Sequence, residues 1–138
     1  VISGIVTILT ANTDLITLIG EDKIYPLVVP EKDEDDNDIS APYLAVMLAA
    51  QGSNQTKNTV SGVDFPLVQV NVHASSYDEL EEVSEAVRAA LEGVSGTYAG
   101  YSFSKIWFLN ALDRPDLYQK DRPSYPRSVQ FNCIVKRT

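Results

Sequence analysis

Residues Val63 to Leu91 read VDFPLVQVNVHASSYDELEEVSEAVRAAL and change hydrophobic period midway. In the first half Val68, Val70 and Val72 alternate with Gln69, Asn71 and His73, the two-residue period of a strand with one buried face. In the second half Leu80, Val83, Val87, Ala90 and Leu91 gather on one side of a 3.6-residue period, with Glu79, Glu81, Glu82, Glu85 and Arg88 elsewhere. Ser76-Tyr77-Asp78-Glu79 between them predicts a capping box. The Ser76 hydroxyl would accept the Glu79 amide, and the Glu79 carboxylate would return to the Ser76 amide. Gly93 tolerates the left-handed turn that ends such a helix. A half-buried strand therefore feeds directly into an amphipathic helix. No group in this unit is chemically reactive, so it reads as scaffold.

At 138 residues the chain fits a single domain, 1–138, large enough to bury a core without disulfides or metals. Its one cysteine, Cys133, cannot form an internal bridge, which makes a reducing compartment the expectation. No apolar run approaches the roughly 20 residues of a membrane span, and no basic stretch of a signal peptide follows Val1, so no membrane partner is expected. A net charge of -8, with scattered cations, argues against a phosphate-neutralising nucleic-acid clamp.

Ahead of the central unit, Ile2, Ile5, Val6 and Leu9 predict a short amphipathic helix. Thr13-Asp14 can restart a turn carrying Leu15, Ile16, Leu18 and Ile19, and Gly20 stops it. Two helices or one kinked helix are equally compatible. Lys23–Pro26 is a brief extended piece, and Pro42-Tyr43 leads a strand, LAVMLAA, apolar on both faces and so expected to be covered on both. Gln51–Gly62 is polar and reads as a loop or the tip of a long hairpin. Beyond the helix come a Gly-rich turn at Val94–Gly100, an aromatic strand at Tyr101–Leu109 and a charged loop at Asp113–Ser124. The closing strand, Tyr125–Lys136, points Val129, Phe131, Cys133 and Val135 one way. The fold class expected is α+β: a mainly antiparallel sheet of four to five strands with the helices on one face.

Candidate chemical sites are few. Asp33-Glu34-Asp35-Asp36-Asn37-Asp38 invites a calcium-loop reading, but an EF-hand starting at Asp33 needs Gly where Asp38 stands and Glu where Leu44 stands. A solvated loop is the simpler reading. His73, on the polar strand face, lacks the further ligands zinc needs, and Cys133 between Phe131 and Val135 reads as a small buried hydrophobe. Glu79, Glu81, Glu82 and Glu85 lie on the solvent arc of their helix, where charge needs no function. No phosphate-binding glycine loop is present; Gly93-Val94-Ser95-Gly96 lacks the necessary Lys. Tyr101, Phe103, Trp107 and Leu109 are expected on one strand face, opposite Ile106 and Phe108. Both faces of that strand would then be apolar, one covered by helices and the other by a second layer or another subunit.

Several short elements recur in a known order. Asp22-Lys23-Ile24-Tyr25-Pro26 follows the N-terminal helix, Pro42-Tyr43 opens a strand, and Ser61-Gly62 precedes the next. Ser76-Tyr77-Asp78-Glu79-Leu80 then leads to Val87-Arg88-Ala89-Ala90-Leu91. In this the chain resembles the tail completion family of tailed bacteriophages, which includes tail terminators and tail-to-head joining proteins. The likeness covers residues 1 to 92 best. It departs from the family pattern in the acidic insert Glu31–Asp38 and the long loop Asp113–Ser124. The resemblance implies a non-enzymatic virion protein without cofactor or metal, located in the phage tail or neck and assembled in the bacterial cytoplasm. It implies a homo-oligomeric, commonly hexameric, ring docking the tail tube protein to the head connector, with DNA passing through unread. On that basis Gln55, Lys57, Trp107, Leu117 and Tyr118 become candidate interface residues. Asp33, Glu34, Asp35, Asp36 and Asp38 become candidates for the channel, where negative charge would repel phosphate. The competing expectation is a small dimeric α+β ligand-binding or regulatory module.

Overall fold

A computed structural model describes residues 1–20, 22–27, 40–55, 60–117 and 124–136. The chain runs α1 (Ile2–Thr10), α2 (Thr13–Ile19), β1 (Ile24–Pro26), β2 (Tyr43–Gln55), β3 (Val60–Ala74), α3 (Tyr77–Leu91), β4 (Gly96–Tyr98), β5 (Tyr101–Asp113), a 3-10 turn at Pro115–Leu117, and β6 (Tyr125–Lys136). The strands form one six-stranded sheet in the order β1-β2-β3-β6-β5-β4. Only β1 runs parallel to its neighbour. The helices pack on the apolar side of this sheet, so the fold is α+β as expected. The strand count is six rather than four to five. The strand the sequence hides is β4, in the Gly-rich turn. Tyr98 pairs with Tyr101, and the two residues between them, Ala99 and Gly100, both have positive φ (51° and 83°). That is the backbone of a tight hairpin turn, reached here without the Asn-Gly or Asp-Gly pair that would announce it.

Alternation along β3 builds the core. Val68, Val70 and Val72 are fully buried, each opposite a residue of β6: Phe131, Val129 and Arg127 respectively. Over them lie Leu80, Val83, Val87 and Leu91 of α3, Ile5 and Leu9 of α1, and Leu15 and Ile19 of α2. Each such side chain contributes roughly 1.5–3 kcal/mol through burial. Local chemistry sets the ends of these helices. The Asn12 side chain accepts the Leu15 amide at 3.0 Å, capping α2 and making two helices bent by 85° rather than one kinked rod. Ser76 accepts the Glu79 amide at 3.2 Å, the first half of the expected capping box. The return bond is displaced: Glu79 Oε1 accepts from the Ser75 amide and the Ser75 hydroxyl, both at 2.8 Å, and not from Ser76. Gly93 follows α3 with φ of 81°, the left-handed residue expected there. Among the described residues no single helix is long and apolar enough to cross a membrane.

Three long strands differ from the simplest reading of the sequence. Much of Gln51–Gly62 is strand, because β2 runs to Gln55 and β3 starts at Val60, so the long-hairpin alternative describes it. β2 is buried on both faces from Tyr43 to Val46, whereas Leu48 to Ala50 are exposed. In β5, register shifts between Phe103 and Lys105 and between Phe108 and Asn110 change which residues share a face. Phe103, Ile106 and Phe108 lie opposite Val135, Cys133 and Phe131 on the helix side, whereas Trp107 lies opposite Asn132 on the other. The expected grouping of Phe103 with Trp107 is therefore wrong. A bulge adds one residue and reverses every later side chain.

Gly4 in α1 is buried where Phe103 crosses it: a Cβ there would lie 2.7 Å from Phe103 Cε2 and 3.0 Å from the Tyr98 carbonyl oxygen. Alanine would gain up to about 1 kcal/mol of helix propensity, but overpacking a filled site costs about 1–3 kcal/mol. Gly4→Ala is expected to lower the urea midpoint, with a net loss near 1 kcal/mol. An unchanged or raised midpoint would mean that the Phe103 ring moves aside freely.

Candidate assembly surfaces

The helix-free face of the sheet is polar yet largely withdrawn from solvent. Cross-strand rows place Met47, Gln69, Gln130 and Asn110 in one line and Ala45, Asn71, Ser128 and Leu112 in the next. Within these rows Gln130 Nε2 donates to Gln69 Oε1 at 3.0 Å, and Gln69 Nε2 donates to Asn71 Oδ1 at 2.9 Å. Ser128 Oγ donates to the same Asn71 oxygen at 2.7 Å, and Arg114 Nη1 donates to Ser128 Oγ at 3.3 Å. Gln69, Asn71 and Ser128 are only 8, 7 and 2% exposed, so these bonds hold groups that burial would otherwise penalise. The amides cover one another. A neutral, self-satisfied ladder offers neither net charge nor a nucleophile.

The two ends of this face differ. At one, His73 stacks on Tyr43 with ring centroids 4.6 Å apart, and its Nδ1 lies 3.0 Å from Ser124 Oγ. At the other, Phe65, Leu67, Trp107 and Ile134 share the face by register, and Lys105 Nζ sits 5.7 Å from the Trp107 ring. Trp107 is partly exposed there. Cys133 points to the opposite, helix-covered side, where burial pushes its thiol up to about 12 and leaves it inert. His73 and Cys133 are therefore divided by the sheet itself. Among the described residues no group of three or more His, Cys, Asp and Glu could hold a metal ion.

A charged clamp secures the base of the Asp113–Ser124 connection. Arg127 Nε donates to Asp113 Oδ1 at 2.6 Å, and its Nη2 donates to Tyr77 Oη at 3.0 Å and to Glu81 Oε1 at 3.1 Å. The Tyr77 hydroxyl in turn donates to Asp113 Oδ2 at 3.2 Å. The last residue of β5, an early residue of β6 and the first turn of α3 are thus tied at one corner. Next to it Arg114 holds Asp116 through Nε at 3.0 Å and Nη2 at 2.8 Å, which shapes the 3-10 turn. The Arg127 guanidinium holds the Asp113 carboxyl below the usual carboxylate range, and the Asp113 carboxylate raises the Tyr77 hydroxyl. Composition gives no sign of this clamp. Its members are 50 residues apart between Tyr77 and Arg127, and only the fold brings them together.

Of the residues singled out from sequence, Trp107 lies on the helix-free face as above. Gln55 is the last residue of β2, paired with Val60, and Leu117 ends the 3-10 turn; nothing further is described of either side chain. Lys57, Tyr118, Asp33, Glu34, Asp35, Asp36 and Asp38 lie outside the described residues. Glu81, Glu82 and Glu85 are exposed along α3 as expected, and Glu79 serves the helix cap.

Comparison with known proteins decides what this architecture is. The family described as Tail completion protein gp17 matches residues 3–136, nearly the whole chain. The chain belongs to that family. It is a structural component of a virion, placed in the tail. No curated protein sequence matches it. Among solved structures, a chain from the virion of a native gene transfer agent particle shares the fold with a TM-score of 0.71. The alignment covers 96% of this tail completion protein and 92% of that chain, at 19% identity. The likeness at this identity is one of overall fold.

The clamp supplies a pH-dependent test. The Asp113 carboxyl has a lowered folded-state pKa, so its contribution is present above the unfolded value of about 4 and is lost as pH falls through the lower folded value. Asp113 is 49% exposed, so solvent screening keeps the contribution modest. At pH 7 Asp113→Asn is expected to cost about 0.5–1.5 kcal/mol in urea denaturation. That gap should close as the pH is taken below about 4. A gap that persists to pH 2 would assign the loss to packing and not to the charge pair.

Proposed function

We propose that this tail completion protein forms a ring, with six subunits the expected number, that closes the tail tube and presents a docking face to the head connector. The carrying observation is the family match across residues 3–136, which extends the likeness read from residues 1 to 92 over the last two strands as well. Two physical features support it. Among the described residues the helix-free face presents hydrogen-bonded amides and no basic patch, so it offers phosphates no strong hold. A net charge of -8 favours the same outcome. In this reading the acidic stretch Asp33–Asp38 faces the water-filled channel, where salt screens like charges over about 8 Å. Gln55 and Lys57 at the long hairpin, and Leu117 and Tyr118 beside the Arg114–Asp116 turn, contact neighbouring subunits or the next ring.

Negative-stain microscopy and light scattering, on the protein alone and with purified tail tubes, test the reading. Rings, free or capping tubes, are the expected result. A protein that stays monomeric and fails to sediment with tubes would overturn it. Deleting Asp33–Asp38 should leave rings intact, whereas Leu117→Asp with Tyr118→Asp should impair rings or their docking. The reverse pattern would exchange the roles of the two segments. Trp107, the only tryptophan, reports independently: its emission should shift to the blue on assembly if a subunit or tube covers the helix-free face. An unshifted spectrum would leave that face in water.

A further inference from the structure

Two stretches of the sheet's rim have no strand beside them among the described residues. β1 pairs β2 at Leu44–Val46, and the Leu27 amide donates to the Val46 carbonyl at 2.7 Å, after which the outer edge of β2 from Met47 to Gln55 has no partner strand. At the opposite rim β4 pairs β5 as far as Phe103, and the Gly93 amide donates to the Ile106 carbonyl at 2.7 Å, which leaves Trp107 to Asp113. Edges of this kind are normally guarded by Lys, Pro or other charges against joining another chain. Met47–Gln55 contains no charged residue and no proline. Trp107–Asp113 carries one charge, Asp113 at its end, and that carboxylate is taken up by Arg127. Among the described residues both edges are open by topology, and their composition does not guard them.

We infer that the two edges are each other's partners in adjacent copies: Trp107–Leu112 of one subunit pairs antiparallel with Met47–Gly52 of the next. The inference rests on the ring reading and supplies its contact. Because the edges lie at opposite ends of one sheet, the contact is heterologous and generates a ring or an open chain, not a two-fold dimer. Strand direction agrees. β2 and β6 run one way and β3 and β5 the other, so a rotation about an axis along the strands brings β5 antiparallel to the next β2.

Side-chain alternation then fixes the register. Met47, Gly52, Trp107 and Leu112 lie opposite Gln69, Phe65, Asn132 and Ser128, all on the helix-free face. Setting Met47 against Leu112 and Gly52 against Trp107 keeps that face continuous across the junction. Each stretch contains one irregularity, between Leu48 and Ala50 on β2 and between Phe108 and Asn110 on β5, so the extra residues offset one another. The two short strands also stay clear. β1 covers the start of β2, while β4 and Gly93 cover the start of β5, and the antiparallel junction uses only what lies beyond them. Within one subunit Met47 shares a row with Asn110, whereas across the junction it faces Leu112. An offset of this sort at every subunit is the stagger that a closed sheet requires.

The register puts Ala50 of one copy against Asn110 of the next, and both are exposed in the single subunit. Ala50→Lys with Asn110→Lys places like charges directly opposite and should abolish rings while leaving a folded monomer, as circular dichroism would verify. Ala50→Lys with Asn110→Glu should restore them. A second experiment traps the contact. A Met47→Cys, Leu112→Cys chain, assembled with tail tubes and oxidised, should give a disulfide-linked ladder on a non-reducing gel, and either single variant should remain monomeric. Cys133 can stay, since it is wholly buried. Rings in the micrographs with no ladder, or rings undisturbed by the paired lysines, would overturn the edge pairing and leave the ring reading standing. Dimers from Leu112→Cys alone would replace the pairing with β5 against β5. A ladder of open chains without rings would uphold the pairing and overturn closure, and the absence of both would overturn both.

Discussion

Everything in this molecule depends on the pairing of β3 with β6. Val68 against Phe131 and Val70 against Val129 make the floor on which all three helices pack, and the intervening residues, Gln69 with Gln130 and Asn71 with Ser128, make the opposite face. Because strand side chains alternate without exception between bulges, one register creates the dry face and the polar face together. A slip by a single residue would put amides beneath α3 and valines in the ladder. The helix face holds this register through burial of large apolar area, and the ladder reinforces it by punishing any arrangement that leaves its buried amides unbonded.

The bulges explain how so regular a sheet acquires differentiated edges. β2 and β5 flank the β3–β6 pair, and both carry irregularities. In β5 these turn Phe103, Ile106 and Phe108 toward the helices and Trp107 away, which an unbroken alternation cannot do. Short strands cover the starts of both β2 and β5, and the rest of each rim is neutral. Among the described residues the sheet's faces are closed, while parts of its two edges have no strand beside them. In the proposed ring, an interface made of backbone groups would be available to every copy and need no dedicated side-chain chemistry.

Two groups of charged side chains lie where the chain leaves the sheet. The Arg127 clamp ties α3, β5 and β6 at the corner where the chain leaves the sheet, and Arg114 fixes the following turn to Asp116. Both keep their partners partly in water, so they orient the connection more than they stabilise the fold. The acidic arc of Glu81, Glu82 and Glu85 is exposed along α3.

The sequence by itself determined the elements whose signals are local. The alternation of Val68 to His73, the 3.6-residue period from Leu80 to Leu91, the Ser76 cap and the inward set Val129, Phe131, Cys133 and Val135 all depend on neighbours a few residues away, and all are found where they were read. The order of short motifs likewise pointed to the family. Tertiary structure decided what depends on distant partners. The strand β4 is stabilised by β5 and by a turn without its usual residues. The face occupied by Trp107 follows from bulges, which leave no compositional mark. The clamp joins Tyr77 to Arg127, and the amide ladder joins Gln69 to Gln130 across 61 residues. Periodicity reports which side of an element is apolar. Which strand lies beside which is set by the packing of the whole sheet.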